Sequence, residues 1–565
     1  MKKQIAELIA KIIPKNAMNL QQIEQLIEVP PAMELGDFSF PCFKLAPVLK
    51  KNPNEIAKEL SAKIPKNDFV QKIEAKNAYV NFYLDYSIYS KQTIEQILKQ
   101  KNSFGKNKFG KNAKVMVEFP APNTNKPLHL GHLRNASIGL AFSNILEANG
   151  FKTIKANLYN DRGVHICKSM LAYQKWGSNS SPSKKSDHFV GDFYVMFAQK
   201  AKDSPELEKE ILEMLGKWEK KDAQTIALWK KMNKWAIDGM HETFKSFGLK
   251  FDVEFFESGH YDKAMPIILE GIKKRVFAKE EDGSVVADLE KFKLGKKAVL
   301  RADGTSIYLT QDLALTKLKF EKYRLQKSYW IVGDEQNLYF RQLFKIFELL
   351  QFPWAKNCFH LSYGLVNLPE GKMKTREGNV IDADDLIESV MGLARNELNS
   401  RYKDLNAKEL EKRAKAIAIG AIKFEMLKTD AVKTMVFDPK KSIEFEGETS
   451  AYIQYAFARI KSILRKAKPG KADFSALDSG MEKLLVSLIA RFPEKVEECF
   501  KTNSLHSLCH YLLKLAAAFN AFYAEIDVLK AEERQRNARL ALIEAVSIVL
   551  ENGLKLLDIE ALEQM

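Results

Sequence analysis

The segment Lys114–Asn135, KVMVEFPAPNTNKPLHLGHLRN, constrains the fold of this chain more than any other. Its opening residues, Val115–Phe119, are β-branched and aromatic and predict a buried strand. Prolines follow and keep the next residues out of a helix, because proline fixes φ and lacks a backbone N–H. From Gly131 apolar residues recur at helical spacing as far as Gly150, a residue that commonly ends a helix. The segment therefore predicts a strand, an extended loop and a helix.

Two histidines, His129 and His132, lie where the predicted helix begins. The first turn of a helix exposes unpaired backbone N–H groups, which together with two imidazoles and Lys126 would bind a polyphosphate. Zinc binding is an alternative, although the H-E-x-x-H pattern is absent and no cysteine is near in sequence. Incidental loop histidines are another alternative. A second basic element, GKMKTREGN at 371–379, favours the phosphate site.

The two elements together resemble the signature motifs, usually written HIGH and KMSKS, of the class I aminoacyl-tRNA synthetases. Here they are HLGH at 129–132 and KMKTR at 372–376. The longer string EFPAPNTNKPLHLGHLRN resembles the arginyl-tRNA synthetases in particular. Four later strings agree with that family in the same order: DHFVGDFY, FFES, YLTQD and FEGETSAYIQYAFARI.

The resemblance implies an arginine–tRNA ligase. Such an enzyme uses ATP with Mg²⁺ to convert L-arginine to arginyl-adenylate, transfers the arginine to the 3′-terminal adenosine of arginine tRNA, and releases AMP and pyrophosphate. The family also implies that tRNA is needed for the first step. Two rivals stay open, another class I synthetase and a non-catalytic tRNA-binding paralogue. Paired acids argue against a glutamyl enzyme, the lack of a cysteine cluster against a cysteinyl enzyme, and the intact HLGH motif against a paralogue.

The composition fits a large intracellular protein. A chain of 565 residues, 46% of them hydrophobic, can build several cores. Its net charge of +16 would attract a polyanion, although a lysine-rich surface also serves solubility alone. The five cysteines form no C-x-x-C pair, and no run of 18 apolar residues occurs. We therefore expect no structural metal, a cytoplasmic location and no membrane-spanning segment. We also expect a monomer.

Changes in periodicity divide the chain into four parts. Residues 1–110 predict an N-terminal α+β domain that ends in a Lys-, Asn- and Gly-rich linker. Residues 111–390 alternate strands and helices, which predicts a Rossmann-type doubly wound parallel sheet with an insertion at about 177–250 of open role. Residues 391–445 predict a helical connection, and 446–565 an all-helical domain. The resemblance makes the first domain the binder of the tRNA elbow, where the D-loop lies, and the last the anticodon-binding domain.

The resemblance supplies an ATP site and a catalytic set. The ATP-binding residues it implies are His129, Gly131, His132, Lys372, Met373, Lys374, Thr375 and Arg376. Thr375 stands where the general motif has a lysine that stabilises the transition state. Lys126 is thought to replace that lysine in arginyl enzymes, and Lys374 could also serve. The catalytic set is therefore His129, His132, Lys126 and Lys374.

An arginine pocket should contain carboxylates, because the guanidinium is a planar fork of donors that binds them bidentately. The resemblance places Glu257 and Asp312 against the guanidinium and Tyr308 beside them. It also places the amino-acid end of the substrate against Glu118 and Asn123, with Gln336 closing the pocket. Such a polar pocket can discriminate by roughly 10⁴ without an editing domain.

Two aromatic sets are candidates for tRNA contact. Tyr79 and Asn81 in the first domain would stack on a base and hydrogen-bond its edge. Tyr452, Tyr455 and Arg459 near the C-terminus combine aromatic and basic groups suited to unpaired anticodon bases. The alternative for both sets is packing, since Tyr79 lies in a predicted strand and the other three share one helical stripe.

Overall fold

The computed structural model describes residues 1–14, 16–261, 263–302, 308–369, 381–402 and 404–565. The predicted ATP-binding residues 372–376 lie outside the described residues. The chain forms two compact units. The first consists of Met1–Phe104, Arg459–Phe492 and Ala517–Val549. The second consists of Gly105–Ala458, Pro493–Ala516 and Leu550–Met565. Parts of the predicted last domain contribute to both units, so the domain limits stay a prediction.

The described strands lie mainly in the second unit. They are β1 Phe38–Pro41, β2 Val70–Lys76, β3 Tyr79–Leu84, β4 Lys114–Glu118, β5 Lys152–Tyr159, β6 Val253–Phe256, β7 Ala278–Lys279, β8 Val285–Asp288, β9 Lys296–Leu300, β10 Lys327–Gly333, β11 Cys358–Tyr363, β12 Val366–Asn367 and β13 Met435–Val436.

Helices make up most of the remaining structure. They are α1 Lys2–Ala10, α2 Leu20–Leu26, α3 Ala46–Leu49, α4 Pro53–Lys63, α5 Tyr86–Gln100, α6 Leu130–Ala148, α7 Val164–Trp176, α8 Ser186–Lys200, α9 Glu206–Glu219, α10 Ala223–Phe247, α11 Met265–Lys273, α12 Tyr308–Tyr323, α13 Asn337–Leu349, α14 Ala383–Arg401, α15 Ala407–Lys428, α16 Pro439–Ser442, α17 Ser450–Lys466, α18 Gly480–Ala490, α19 Phe492–Thr502, α20 Leu505–Glu525 and α21 Glu533–Leu556. None of the helices among the described residues has the length and apolar character to cross a membrane.

The second unit is built on a five-stranded parallel sheet in the order β11-β10-β4-β5-β6. The first strand of the sheet, β4, lies at its centre, and the chain moves outward to β6 on one side and to β11 on the other. This is the doubly wound arrangement that the sequence predicts, and its switch point lies between β4 and β10. Ligands bind such sheets beyond the carboxyl ends of the strands on either side of that point.

The burial of β4 and α6 explains their central position. Val115, Met116 and Val117 have no exposed surface, as expected of a strand covered on both faces. Helix α6 is also covered along most of its length, including the small residues Ala136 and Ala141. A helix that is apolar on all sides belongs inside a protein, and this one carries the HLGH motif at its N-terminus.

The other parts of the fold are smaller. The first unit contains an antiparallel sheet in the order β1-β3-β2, and the pairing of β2 with β3 confirms that Tyr79 lies in a strand. The insertion folds into α8, α9 and α10, whose core includes Phe189, Phe193 and Ile211. A second antiparallel sheet, β7-β8-β9, follows β6 and was not predicted.

Candidate active site

The two histidines of the HLGH motif cap helix α6. His129 is the N-cap, and its Nδ1 accepts the N–H of Gly131 at 3.2 Å. The Nδ1 of His132 accepts the N–H of His129 at 3.1 Å. Because Nδ1 is an acceptor in both rings, the hydrogen bonds assign the tautomer with hydrogen on Nε2. Both rings therefore carry their donor hydrogen on Nε2.

Both imidazoles are neutral at ordinary pH. Burial, reinforced by the nearby charge of Lys126, lowers the pKa of His129 to about 3. Burial also holds the pKa of His132 well below its usual value, with His129 and Lys126 adding to the effect. The motif thus offers hydrogen-bond donors without a buried positive charge on either ring.

A cavity of about 760 Å³ opens beyond the carboxyl ends of β4 and β10. Sequence-predicted residues from both halves of the catalytic unit line it: Glu118, Asn123, His129, Gly131, His132, Glu257, Tyr308, Asp312 and Gln336. Tyr308 is 62% exposed, and Gln336 is also exposed, so both lie at the rim. The structure therefore brings the predicted arginine pocket and the HLGH motif together in one space.

Lys126 does not line this cavity. It lines a smaller neighbouring one of about 170 Å³, together with His129, His188 and Asp382. Burial lowers the pKa of Lys126 below its usual value. His129 borders both cavities, so it links the lysine to the larger space.

Two carboxyl groups in the larger cavity have raised pKa values. Burial raises the pKa of Glu257 to about 7, although Arg162 and a hydrogen bond from Gln311 oppose the shift. Burial likewise raises the pKa of Asp312 to about 6, against a hydrogen bond donated by the Tyr339 hydroxyl. Glu257 is 7% exposed, and its Oε2 has no hydrogen-bond partner among the described residues. A cation between these groups would supply the missing compensation.

Glu118 already has a partner. The Lys319 ammonium donates to its Oε2, and both side chains are buried. That Glu118 holds the amino-acid end of the substrate therefore stays a prediction, made for a carboxylate whose charge is compensated within the protein. Lys319 was not predicted. It lies on α12 at positions i+7 and i+11 from Asp312 and Tyr308, so helical spacing could have placed it on the same face.

Asp161 and Arg162, which follow β5, support Glu257 and were also missed. The Asp161 carboxylate accepts the Ser258 N–H at 2.8 Å and the Ser258 Oγ–H at 2.6 Å, which fixes the turn next to Glu257. The Arg162 guanidinium lies 4.2 Å from the ring centre of Tyr261 and pairs with Glu219 at 3.1 Å. These two residues therefore hold one wall of the pocket in place.

Arg134, in the second turn of α6, is fully buried. Its guanidinium donates to main-chain carbonyls at 2.8–3.5 Å, those of Gly364, Leu365, Asp430, Ala431 and Lys433. Burial lowers its pKa to about 10. The side chain thus ties α6 to the parallel pair β12–β13, of which β12 lies just before residues 370–380 in the chain.

The predicted elbow contacts differ in exposure. The Tyr79 ring packs edge-on against Phe43 at 5.6 Å, and Phe43 is 52% exposed. Asn81 is 3% exposed, and its Oδ1 accepts the Ser39 hydroxyl at 2.5 Å. Tyr79 and Phe43 therefore offer an aromatic surface, whereas most of the Asn81 amide lies inside the sheet. Contact of either predicted residue with a base stays a prediction.

The predicted anticodon contacts lie on α17. The Tyr455 ring packs edge-on against the Phe445 ring, with 5.9 Å between the ring centres. This contact agrees with the alternative that Tyr455 serves packing. The Arg459 guanidinium donates to Asn520 at 3.0 Å and lies 4.7 Å from the ring centre of Tyr523, which is partly exposed. Tyr452 is half-buried. For these residues, too, a role in tRNA binding stays a prediction.

One cluster of metal-ligand type occurs among the described residues, formed by Asp187, His188 and Asp384. The Lys185 ammonium donates to Asp187 at 2.9 Å and to Asp384 at 2.8 Å. A lysine there places a positive charge among the oxygens that would bind a metal ion. The cluster is therefore an ion-pair network.

A doubly wound sheet of this strand order, with a histidine-capped helix at its switch point, defines the catalytic fold of the class I aminoacyl-tRNA synthetases. Residues 93–439 match the family described as "tRNA synthetases class I (R), catalytic domain". Residues 1–84 match "Arginyl tRNA synthetase N terminal domain", and 453–565 match "DALR anticodon binding domain". The chain belongs to the arginyl-tRNA synthetases.

Relatives agree over the whole chain. The arginine–tRNA ligase of Treponema denticola is 41% identical over 579 residues, covering 99% of this chain and 98% of that protein. The arginine–tRNA ligase of Borreliella afzelii is 39% identical over 585 residues, covering 100% and 98%. The solved structure of the Thermus thermophilus arginyl-tRNA synthetase has a TM-score of 0.86 at 26% identity, with both chains covered completely. The predicted family, fold class and ligase function are confirmed.

Proposed function

We propose that the cavity beyond β4 and β10 activates L-arginine with ATP and then esterifies it to arginine tRNA. The observation that carries this proposal is the shared cavity, in which Glu257 and Asp312 lie with the two histidine donors of α6. Two buried acids suit a guanidinium, and a helix N-terminus flanked by N–H donors suits a polyphosphate. Both substrates of the first step would thus meet in one space.

In the first step the arginine carboxylate attacks the α-phosphorus of ATP, and the bond to the bridging oxygen of the leaving pyrophosphate breaks. Negative charge spreads over the five-coordinate phosphorus and the leaving group, and no proton has to move. The Nε2–H groups of His129 and His132 would stabilise that charge, and their fixed Nδ1 hydrogen bonds keep them oriented. ATP would enter as its Mg²⁺ complex.

In the second step a ribose hydroxyl of the terminal adenosine attacks the carbonyl carbon of the adenylate, and AMP leaves. As the resemblance implies, the attacking group would be the 2′-hydroxyl, and bound tRNA would be required even for the first step. The aromatic and basic residues on β3 and α17 would contact the elbow and the anticodon. We further propose a cytoplasmic monomer, since ATP, arginine and tRNA meet in that compartment.

The pocket acids make arginine binding depend on pH. Without bound arginine, the pKa of Glu257 is about 7 and that of Asp312 is about 6. Both pKa values are raised, so acid conditions protonate both groups and remove the charges that bind the guanidinium. The arginine KM should therefore be lowest above pH 7 and rise steadily as the pH falls to 5.5. Initial rates of adenylate formation across this range measure it, and an arginine KM that stays constant contradicts the assignment.

The two candidate lysines are separated by a paired comparison. We expect Lys126→Ala to lower the rate of adenylate formation much more than Lys374→Ala, because Lys126 lies against His129 in the folded protein. Single-turnover rates at saturating arginine, ATP and tRNA make the comparison independent of binding. Equal losses would show that Lys126 is not the replacement for the missing motif lysine.

A further inference from the structure

The insertion helices α8 and α10 are joined to the start of α14 by hydrogen bonds and ion pairs. Lys185, just before α8, donates to the Thr243 hydroxyl at 2.7 Å and to Asp384 at 2.8 Å. Thr243, on α10, donates in turn to the other Asp384 oxygen at 2.9 Å. His188 donates from Nε2 to Asp384 at 3.0 Å and lies 3.4 Å from Asp382. Lys185, Thr243 and His188 thus all contact the residues that begin α14.

The same residues pair with the HLGH turn through the main chain. The N–H of Ala383 donates to the Leu128 carbonyl at 3.0 Å, and the N–H of Leu130 donates to the Ile381 carbonyl at 3.3 Å. His129 and Asp382 form an antiparallel bridge between these two bonds. The position of the His129 main chain is therefore set by the residues that the insertion holds.

Helix α8 also supports this turn directly. A Cβ placed on Gly191 would lie 2.7 Å from the ring of Pro127 and 3.6 Å from the Cα of Lys126, so the helix runs against the backbone of the turn. A Cβ on Gly239 of α10 would overlap Asp187 at 2.4 Å, which shows how closely α10 and the start of α8 approach. The insertion therefore reaches Lys126 and His129 by two routes, one direct and one through Asp382–Asp384.

Stability alone is an insufficient account of the network. An acid in the first turn of α14 would favour the helix dipole without any partner from the insertion. Thr243 and Asp187 are fully buried, and buried ion pairs often stabilise a fold no more than apolar residues of equal volume. Moreover, His188 and Asp382 line the same small cavity as Lys126 and His129. These groups are better explained by the geometry that they impose on that cavity.

We propose that Lys185, His188 and Thr243 are positioning residues for adenylate formation. Through Asp382 and Asp384, they hold Lys126 and His129 in the positions that the reaction requires. This role rests on the proposed function of the HLGH site and gives the insertion a part in the first chemical step. None of the three residues lines the cavity that contains the arginine pocket. Their loss should therefore slow the chemistry without weakening the binding of arginine.

The sharpest test compares Thr243→Val with Thr243→Ser. Valine keeps the shape of the side chain and removes the hydroxyl, whereas serine retains the hydroxyl. With tRNA present, we expect Thr243→Val to lower kcat for arginine-dependent ATP–pyrophosphate exchange by roughly 10- to 100-fold, because small displacements of catalytic groups have effects of that size. The arginine KM should stay within about twofold of the wild-type value, as for an ordinary distant substitution. Thr243→Ser should restore most of the rate.

A second pair of variants separates a loss of positioning from a loss of folding. Lys185→Met should have the same effect as Thr243→Val. The matched control is Lys184→Met, which removes the neighbouring lysine and should leave kcat unchanged. Lys184 pairs with Asp192 on the surface. Thermal unfolding is measured for each variant. An unchanged kcat in Thr243→Val overturns the proposal, and so does a fall in kcat matched by a rise in arginine KM. If the wild-type enzyme itself lacked arginine-dependent exchange, the proposed function would fail instead.

Discussion

Replacing Asp312 with alanine is expected to raise the KM for arginine by roughly 10²-fold to a few times 10³-fold. The substitution removes one of the two carboxylates that would face the guanidinium and leaves a buried cation only half compensated. Breaking a buried ion pair typically costs roughly 3–5 kcal/mol, which corresponds to a change of that size. Steady-state exchange kinetics at varied arginine concentration measure the effect.

Two controls define the cause of this loss. Asp312→Asn keeps the shape and the hydrogen bond with Tyr339 but removes the charge, so it should lie close to alanine if charge dominates. The affinity for tRNA should be unchanged in both variants, because Asp312 lies inside the cavity. Unchanged arginine kinetics in Asp312→Ala would remove this residue from the pocket.

Replacing His132 with alanine is expected to lower the rate of adenylate formation by about 10²–10³-fold, the usual loss when one preorganised donor is removed. The reason is that its Nε2–H would act on charge that develops only in the transition state. The arginine KM should change little. Alanine also removes the acceptor for the His129 N–H, so a small loss of stability, about 1 kcal/mol, should accompany the effect.

The matched control for this variant is His510→Ala, which changes an exposed histidine on α20 and should leave the rate unchanged. Pre-steady-state measurements separate the chemical step from binding and product release. A loss smaller than about tenfold in His132→Ala would mean that the imidazole contributes only to the helix cap, in which case the fall in melting temperature would remain.

Much of the sheet was predictable from local patterns. Local sequence patterns predict the strand at Val115–Phe119, the alternation of strands with helices and the extended loop before His129. Each of these features depends on residues that are close together in the chain. The strand order follows from the class of fold. The sheet β7-β8-β9 was missed because its strands are short and β7 is exposed, which leaves little hydrophobic pattern.

The partners of the site residues were less accessible to sequence reasoning. Lys319 on α12 neutralises Glu118 at the end of β4, and Arg134 binds carbonyls far along the chain. Such contacts depend on how elements pack in three dimensions, and a lone lysine or arginine in a helix looks like a surface residue. The role of Lys185 was hidden for the same reason, because its partners Thr243 and Asp384 come from two other helices.

The most direct test of the central claim is arginine-dependent ATP–pyrophosphate exchange, measured with and without arginine tRNA. The proposal that arginine and ATP share one cavity predicts exchange with arginine and with no other amino acid at comparable concentration, and the family predicts that tRNA is required. Exchange that depends on a different amino acid would contradict the pocket formed by Glu257 and Asp312. No exchange under any condition, with tRNA still bound, would contradict the catalytic role of the HLGH site.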